Sequence, residues 1–328
     1  MLRSSPDPAR GAQPPFRAGG ARIGPRRRSD PWLVAALALL AAPAAAQPLL
    51  SLPLDCDLGR TCDIQQYPDA DPGPGAADFA GGPLSYDGHR GTDLRVADLA
   101  ALDAAPPVLA PAEGTVLRVR DDVPDGAFPE GQDCGNGVVI DHGGGLETQL
   151  CHLAAGSVAV APGDAVARGQ PVARIGLTGR TAFPHVHVTV RRDGAVVDPF
   201  VEGLWADPPA YAPGGVLAAG FAAAVPDYDA VKAGTAAAAA LAPGDAMVLW
   251  GHAFGPRAGD ALALTIRRGD ETVFDHVAPF ERTQAQAFRA AGRRAPEGGW
   301  PPGLYEGEAR LIRDGAALDA ETVTIRVD

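Results

Sequence analysis

Lysine is all but missing from this 328-residue chain: Lys232 is the only one. Arginine does not make up the shortfall. Lys and Arg together number 28 against 40 Asp and Glu, for a net charge of −12. Nucleic acids and anionic membranes are held by basic side chains, so this balance argues against both as partners. It also gives no long-range attraction toward an anionic polymer. The scarcity of lysine goes with an abundance of Ala, Gly and Pro, which reflects a GC-rich coding bias rather than function. Aromatic residues are few, at 6 %, but an apolar fraction of 46 % is ordinary for a globular protein, and the length allows two domains.

The apolar stretch Trp32–Ala42 (WLVAALALLAA) falls short of the roughly 20 residues that span a bilayer. It has the size of a signal-peptide core instead. Pro43 breaks it, and Ala44-Ala45-Ala46 supplies small residues for cleavage before Gln47. Residues 1–46 are therefore read as a signal peptide. Its removal, with seven Arg and two Asp, leaves a mature chain of net charge −17 and no stable membrane span. The expected location is periplasmic or secreted.

Only four cysteines are present, Cys56, Cys62, Cys134 and Cys151, and no two have C-x-x-C spacing. That argues against a cysteine-ligated metal site. An even count in an exported chain suggests two disulfides. Cys134 and Cys151 flank two strand-like runs around the Gly-rich turn His142–Gly145, so they should meet across a hairpin. This pairs Cys134 with Cys151 and, by elimination, Cys56 with Cys62.

Residues 47–85 read as a loop-rich extension. The run Asp69–Gly75 (DADPGPG) lacks the ligand spacing of a calcium loop and reads as an acidic turn. From Gly88 to about Phe200 come short strand runs separated by Gly turns, including 114–120, 137–142, 146–153, 166–176 and 185–192. Residues 206–215 (ADPPAYAPGG) read as a linker. Strand runs at 247–254, 261–268, 271–277, 303–313 and 321–327 then predict a β-sandwich of immunoglobulin or fibronectin type over 216–328. The expected fold is mainly β throughout. His252 and His276 in this last region have no partner at ligand spacing and read as core or surface residues.

Five of the seven histidines lie between 89 and 187. In SYDGHRGTD, His89 and Asp93 are four apart, and Gly91 between them predicts a tight turn that lets both side chains converge. LCHL places His152 at a strand end. FPHVHV puts His185 and His187 on one face of a strand, because residues two apart in a strand point the same way. Imidazole and carboxylate together suit a divalent ion of zinc type. His142, in the DHGGG turn, reads as structural. A lone His-x-His is weak evidence of a metal site, but the three segments in this order are far more specific.

Taken together, GHRGTD, CHL and PHVH followed by a strand resemble the lysostaphin/LytM-type zinc metallopeptidases, a family of peptidoglycan endopeptidases. The likeness runs from about Gly88 to Pro199 and includes residues 160–180 and VVDP at 196–199. It implies an antiparallel β-sheet groove (duplicated hybrid motif-like) over 86–205 and one Zn2+ per chain. Carried over by motif, His89, Asp93 and His187 match the metal ligands. His152 and His185 match the two catalytic histidines that do not bind the metal. Two positions depart from the pattern: Val188 and Thr189 stand where an aromatic and a Glu are usual, and Cys151 precedes His152 in place of Ala.

The resemblance implies an exported hydrolase that cuts peptide cross-links of peptidoglycan with a metal-activated water. The partners would be peptidoglycan peptide stems, with an envelope protein as a possible partner of the C-terminal region. The alternative is a non-catalytic envelope protein that binds wall peptide or activates another hydrolase. Retention of all five residues favours the enzyme.

Overall fold

The computed structural model describes residues 49–328. The signal-peptide reading of residues 1–46 lies outside the described residues. Ten strands come first: β1 (Asp63–Gln66), β2 (Thr92–Arg95), β3 (Val108–Leu109), β4 (Gly114–Arg120), β5 (Asn136–Asp141), β6 (Leu146–Leu153), β7 (Ala165–Val166), β8 (Pro171–Ala173), β9 (His185–Arg192) and β10 (Ala195–Val197). They are followed by β11 (Gly215–Ala222), the short helix α1 (Tyr228–Ala233), β12 (Met247–Phe254), β13 (Ala261–Arg268), β14 (Glu271–Pro279), β15 (Gln286–Arg293), β16 (Gly303–Arg313) and β17 (Ala316–Val327). Among the described residues no helix is long and apolar enough to cross a membrane.

The main sheet runs β1-β2-β9-β6-β5-β4-β7, with β10 paired to β9. Its pairings are antiparallel. β9 lies inside it, between β2 and β6, and its HVHVTVRR sequence explains why. The β-branched residues suit an extended backbone. Val186, Val188 and Val190 turn one way into a core with Val138, Ile140, Leu146 and Leu150. The alternate residues, His185, His187, Thr189 and Arg191, therefore line the opposite face.

Two further sheets, β11-β12-β15 and β14-β13-β16-β17, pack face to face as a β-sandwich. Phe221 and Leu249 from one sheet meet Leu262, Leu264, Ile266, Tyr305 and Leu311 from the other. The strand runs expected at 247–254, 261–268 and 303–313 fall on β12, β13 and β16. β15 escaped the sequence reading because QAFRAAGR has no apolar alternation, and it is held by pairing with β12 along its whole length. β17 starts five residues earlier than expected, straight after the Asp314-Gly315 turn. Both turn residues have positive φ, as a tight hairpin turn requires.

The segment 47–85 is not all loop. β1 pairs with β2 at the edge of the main sheet, and Leu50, Leu54, Ile64, Tyr67 and Leu84 belong to its core. The polar sequence DIQQ hid this strand. Gln65 and Gln66 are both buried, and Arg95 of β2 donates to the side-chain oxygen of Gln65. The Arg95 guanidinium also donates to the carbonyls of Val96 and Ala97, and to Gln286 of β15 at 3.0 Å.

Both expected disulfides are present, Cys56–Cys62 and Cys134–Cys151. The second closes the hairpin of β5 and β6, where Gly137 lies opposite Cys151. Cross-linking residues 17 apart restricts the unfolded chain, so replacing both cysteines with Ser should cost about 2–4 kcal/mol. Urea unfolding of Cys134→Ser/Cys151→Ser against the parent measures this. Unchanged stability would mean that the hairpin needs no staple.

His276 is exposed, whereas His252 is buried, with its Nδ1 unpartnered and its Nε2 3.4 Å from the Tyr228 hydroxyl. Burial, with Arg95 and Lys232 nearby, lowers its pKa from 6.5 to about 3. Between those values the unfolded chain takes a proton that the folded chain refuses. The stability linked to His252 is thus complete above pH 6.5 and is lost as the pH falls. Going from pH 7 to 4.5, the loss should be about 2–3 kcal/mol. Urea unfolding at both pH values should give a gap smaller by that amount in His252→Phe, and an unchanged gap would contradict this.

Candidate metal centre

The site forms where β9 passes between two neighbours. Asp93 of β2 lies opposite His187 of β9 on one side, and Cys151 of β6 lies opposite it on the other. His89 arrives on the loop that leads into β2. That loop is held by Asp69, whose carboxylate accepts the backbone N–H groups of Asp71, Ala77 and Gly88. The acidic turn read from DADPGPG is therefore the anchor of the His89 loop.

Gly91 matters for a different reason from the one its sequence context suggests. It makes no left-handed turn. A Cβ at this position would lie 2.5 Å from His187 Nε2 and 2.7 Å from the Val188 carbonyl oxygen. Glycine is needed there because the loop passes directly against the imidazole.

His152 reaches the same face through a bulge. Pairing of β5 with β6 shifts register between Asn136 and Gly137, opposite Leu153 and Cys151. His152 itself has φ of +63°, a left-handed conformation that costs energy for a non-glycine residue. The surroundings hold it there: its N–H donates to the Cys134 carbonyl, beside the disulfide, and its ring Nδ1 lies 2.8 Å from the Thr178 carbonyl. The rings of His152 and His185 are 4.7 Å apart, and those of His152 and His187 are 5.9 Å apart.

The partners of each ring decide which nitrogen faces inward. His89 Nδ1 is 2.7 Å from the Tyr67 carbonyl, and His185 Nδ1 is 2.9 Å from the Phe183 carbonyl. A carbonyl can only accept, so in His89, His152 and His185 the Nδ1–H donates outward and the bare Nε2 is left for the site. His187 is reversed. Its Nε2 is 3.0 Å from the Thr189 hydroxyl, and its Nδ1 is turned toward Asp93 at 2.8 Å.

Among the described residues, two groups could hold a metal ion: His89 with Asp93 and His187, and His152 with His185 and His187. The first fits zinc better. His89 Nε2, Asp93 Oδ1 and His187 Nδ1 stand 2.8–3.3 Å from one another. Donors about 2.0–2.1 Å from a tetrahedral zinc are themselves about 3.3 Å apart. The set is one carboxylate and two imidazoles, each presenting a lone pair. His185 Nε2, at 3.5 Å from Asp93 Oδ1, lies just outside it.

The electrostatics agree. Burial opposes ionisation of Asp93, but the histidines around it outweigh burial and hold its pKa well below the usual range. Burial likewise works against a charged His89, yet Asp93 and the Tyr67 carbonyl raise its pKa overall. Burial, reinforced by His185, lowers His152 to about 3, and burial lowers His185. Both shifts favour the neutral ring.

All five residues singled out in the sequence therefore come together. His142 sits apart, bonded to the Glu113 carbonyl and the Thr148 hydroxyl, as a structural residue should be. The sequence reading missed the groups that orient the rings. Tyr67, Thr178 and Phe183 act through backbone carbonyls, which leave no trace in side-chain identity. Thr189, by contrast, stands out in the sequence as a departure from the motif, and the structure places its hydroxyl 3.0 Å from His187 Nε2.

Residues 87–199 match the family model described as peptidase family M23. An uncharacterized metalloprotease of Haemophilus influenzae is 32 % identical over 116 residues, which is 35 % of this chain and 21 % of that protein. The peptidoglycan DD-endopeptidase ShyB of Vibrio cholerae is 33 % identical over 102 residues, 31 % of this chain and 20 % of that protein. The chain thus spans about a fifth of the length of the curated relatives it matches. A zinc-containing peptidase from Vibrio cholerae of known structure is 26 % identical and aligns over 50 % of this chain and 41 % of its own, with a TM-score of 0.34.

Proposed function

We propose that the chain, whose residues 87–199 match the model of peptidase family M23, is an exported zinc endopeptidase that cuts peptide cross-links of peptidoglycan. The observation that carries this is the clustering of His89 Nε2, Asp93 Oδ1 and His187 Nδ1 beside two neutral histidines in an open groove. His89, Asp93 and His187 would hold the metal. When bound there, zinc lowers the pKa of a water and polarises a carbonyl oxygen.

The remaining work falls to the chain's own groups. His152 and His185 present bare Nε2 atoms to the groove, where a ring can take up the proton of the attacking water, and the imidazolium so formed passes it to the leaving amine and donates to the oxygen that becomes negative. The Thr178 and Phe183 carbonyls keep both rings in the tautomer that these tasks require. Thr189 keeps Nδ1 of His187 facing inward in place of the family's Glu. Phe128, Leu177 and Phe183 give one side of the groove an apolar wall. The same proposal divides the chain into a signal peptide (1–46), an extension (47–85), the peptidase domain (86–205), a linker (206–215) and an accessory sandwich (216–328) that docks to the envelope. It places the mature protein in the periplasm or outside the cell.

The expected substrate is wall in which D-alanine is joined directly to a diamino acid. Digestion of direct-linked and glycine-bridged walls, each with and without chelator, tests this by chromatography of the fragments. We expect monomers from direct-linked wall and none after chelation. Release from glycine-bridged wall alone would refute the substrate. No release from either would favour a binding protein.

A further inference from the structure

We propose that Arg191 marks a subsite for a carboxylate of the substrate peptide, in the arm of the groove beyond Thr189; this rests on the peptidase reading above. Two cavities share Tyr86, His152, Arg180 and His187, and they extend along β9 in opposite directions. The one at the His185 end, about 640 Å3, is walled by Leu99, Phe128, Leu177 and Phe183. The one at the other end, about 440 Å3, contains Gln149, Thr189 and Arg191, with Arg90 and Arg180 at its exposed edge. One arm is thus walled mainly by apolar side chains, while the other adds Arg90 and Arg191 to the Arg180 that borders both, in a chain whose net charge is −12.

Arg191 is the informative member. Its alternation with His187 and Thr189 puts it on the groove face. It is half-buried, and its Nη2 donates to Gln149 Oε1 at 2.8 Å. Its Nη1 is shielded from water and has no hydrogen-bond partner. An acid is available in register, Glu147 of β6, but the two make no ion pair. The other acids of this cavity, Asp87 and Asp133, are exposed at its edge. A fixed, half-desolvated guanidinium with a free N–H edge is matched by a carboxylate, which accepts from two nitrogens at once. The strand rise puts Arg191 about 13 Å from His187, the span of up to four residues of extended peptide. The carboxylate therefore belongs to a residue within that distance of the scissile bond, either on a diamino-acid side chain or at a stem terminus.

The test is equilibrium binding by calorimetry, with the mature chain carrying His152→Ala so that no ligand is consumed. The ligands are a cross-linked stem-peptide dimer with free carboxylates, the same dimer amidated only at the diamino acid, and one amidated only at the terminus. One of the two amidations should weaken binding at least tenfold, and it identifies the carboxylate. The same amidation should make no difference in a chain that also carries Arg191→Gln, and an intermediate difference with Arg191→Lys, which keeps the charge and guards against misfolding. Equal binding of all three ligands, or an undiminished preference in Arg191→Gln, would overturn the proposal. Turnover of the free dimer by the parent is measured alongside. Selective binding without turnover would defeat the peptidase reading and leave the carboxylate subsite standing. Turnover without selectivity would do the reverse.

Discussion

His152→Ala and His185→Ala should each lower turnover by about 10²–10⁴-fold while zinc stays bound, the usual range for loss of a positioned acid or base. The two rings lie against the proposed metal ligands, with His152 4.7 Å from His185 and His185 Nε2 3.5 Å from Asp93, yet neither belongs to the tight donor set. Each ring is fixed by a carbonyl behind it, so each presents one nitrogen in one orientation. The two losses should not add, because rings in contact that serve one proton path act as a unit. Steady-state rates on direct-linked peptide, read with metal content on the same samples, check this. Parent-like rates in either variant would remove that histidine from the mechanism.

Gly91→Ala should be nearly as damaging, although it adds only one methyl group and removes no titratable side chain. The new Cβ would overlap His187 Nε2 and Cε1, at 2.5 and 2.6 Å, and the Val188 carbonyl oxygen at 2.7 Å. The carbonyl belongs to the middle of β9 and cannot yield, so the imidazole must swing or the His89 loop must lift. Either movement breaks the Nδ1 alignment with Asp93. We expect a loss of about 100-fold in kcat/KM, since a displacement near 1 Å has that effect on aligned groups. We also expect a stability cost of about 1–3 kcal/mol from overpacking. Gly244→Ala is the control, because a methyl there meets nothing within 4 Å. Parent activity and full metal content in Gly91→Ala would show that the loop yields without disturbing His187.

Motif spacing pointed to His89, Asp93, His152, His185 and His187, and the structure brings these five into one groove. Strand runs with clear alternation, such as HVHVTVRR and ALALTIRR, were legible because one face is buried and the other is not. β1 and β15 were not, because their polar and small residues gain their place from pairing and from Arg95 rather than from pattern. Gly91 was noticed for conformational freedom, when the cause is an approach between two segments 96 residues apart in sequence. The tautomers of the rings depend on the carbonyls of Tyr67, Thr178 and Phe183, and any residue could have supplied those atoms. His252 drew attention only as a histidine without a partner. Its burial comes from the place of β12 between β11 and β15 and from Tyr228 packed against its ring, which its neighbours in sequence do not reveal.

The measurement that bears most directly on the central claim is the metal content of purified His187→Ala beside the parent and His152→Ala, by elemental analysis after dialysis. His187 supplies Nδ1 to the donor set, held there by Thr189 from behind, and no other described imidazole stands within 3.3 Å of both His89 Nε2 and Asp93 Oδ1 in its place. One zinc per chain is predicted in the parent and in His152→Ala, and none in His187→Ala, His89→Ala or Asp93→Ala. One zinc retained in His187→Ala would contradict the ligand assignment.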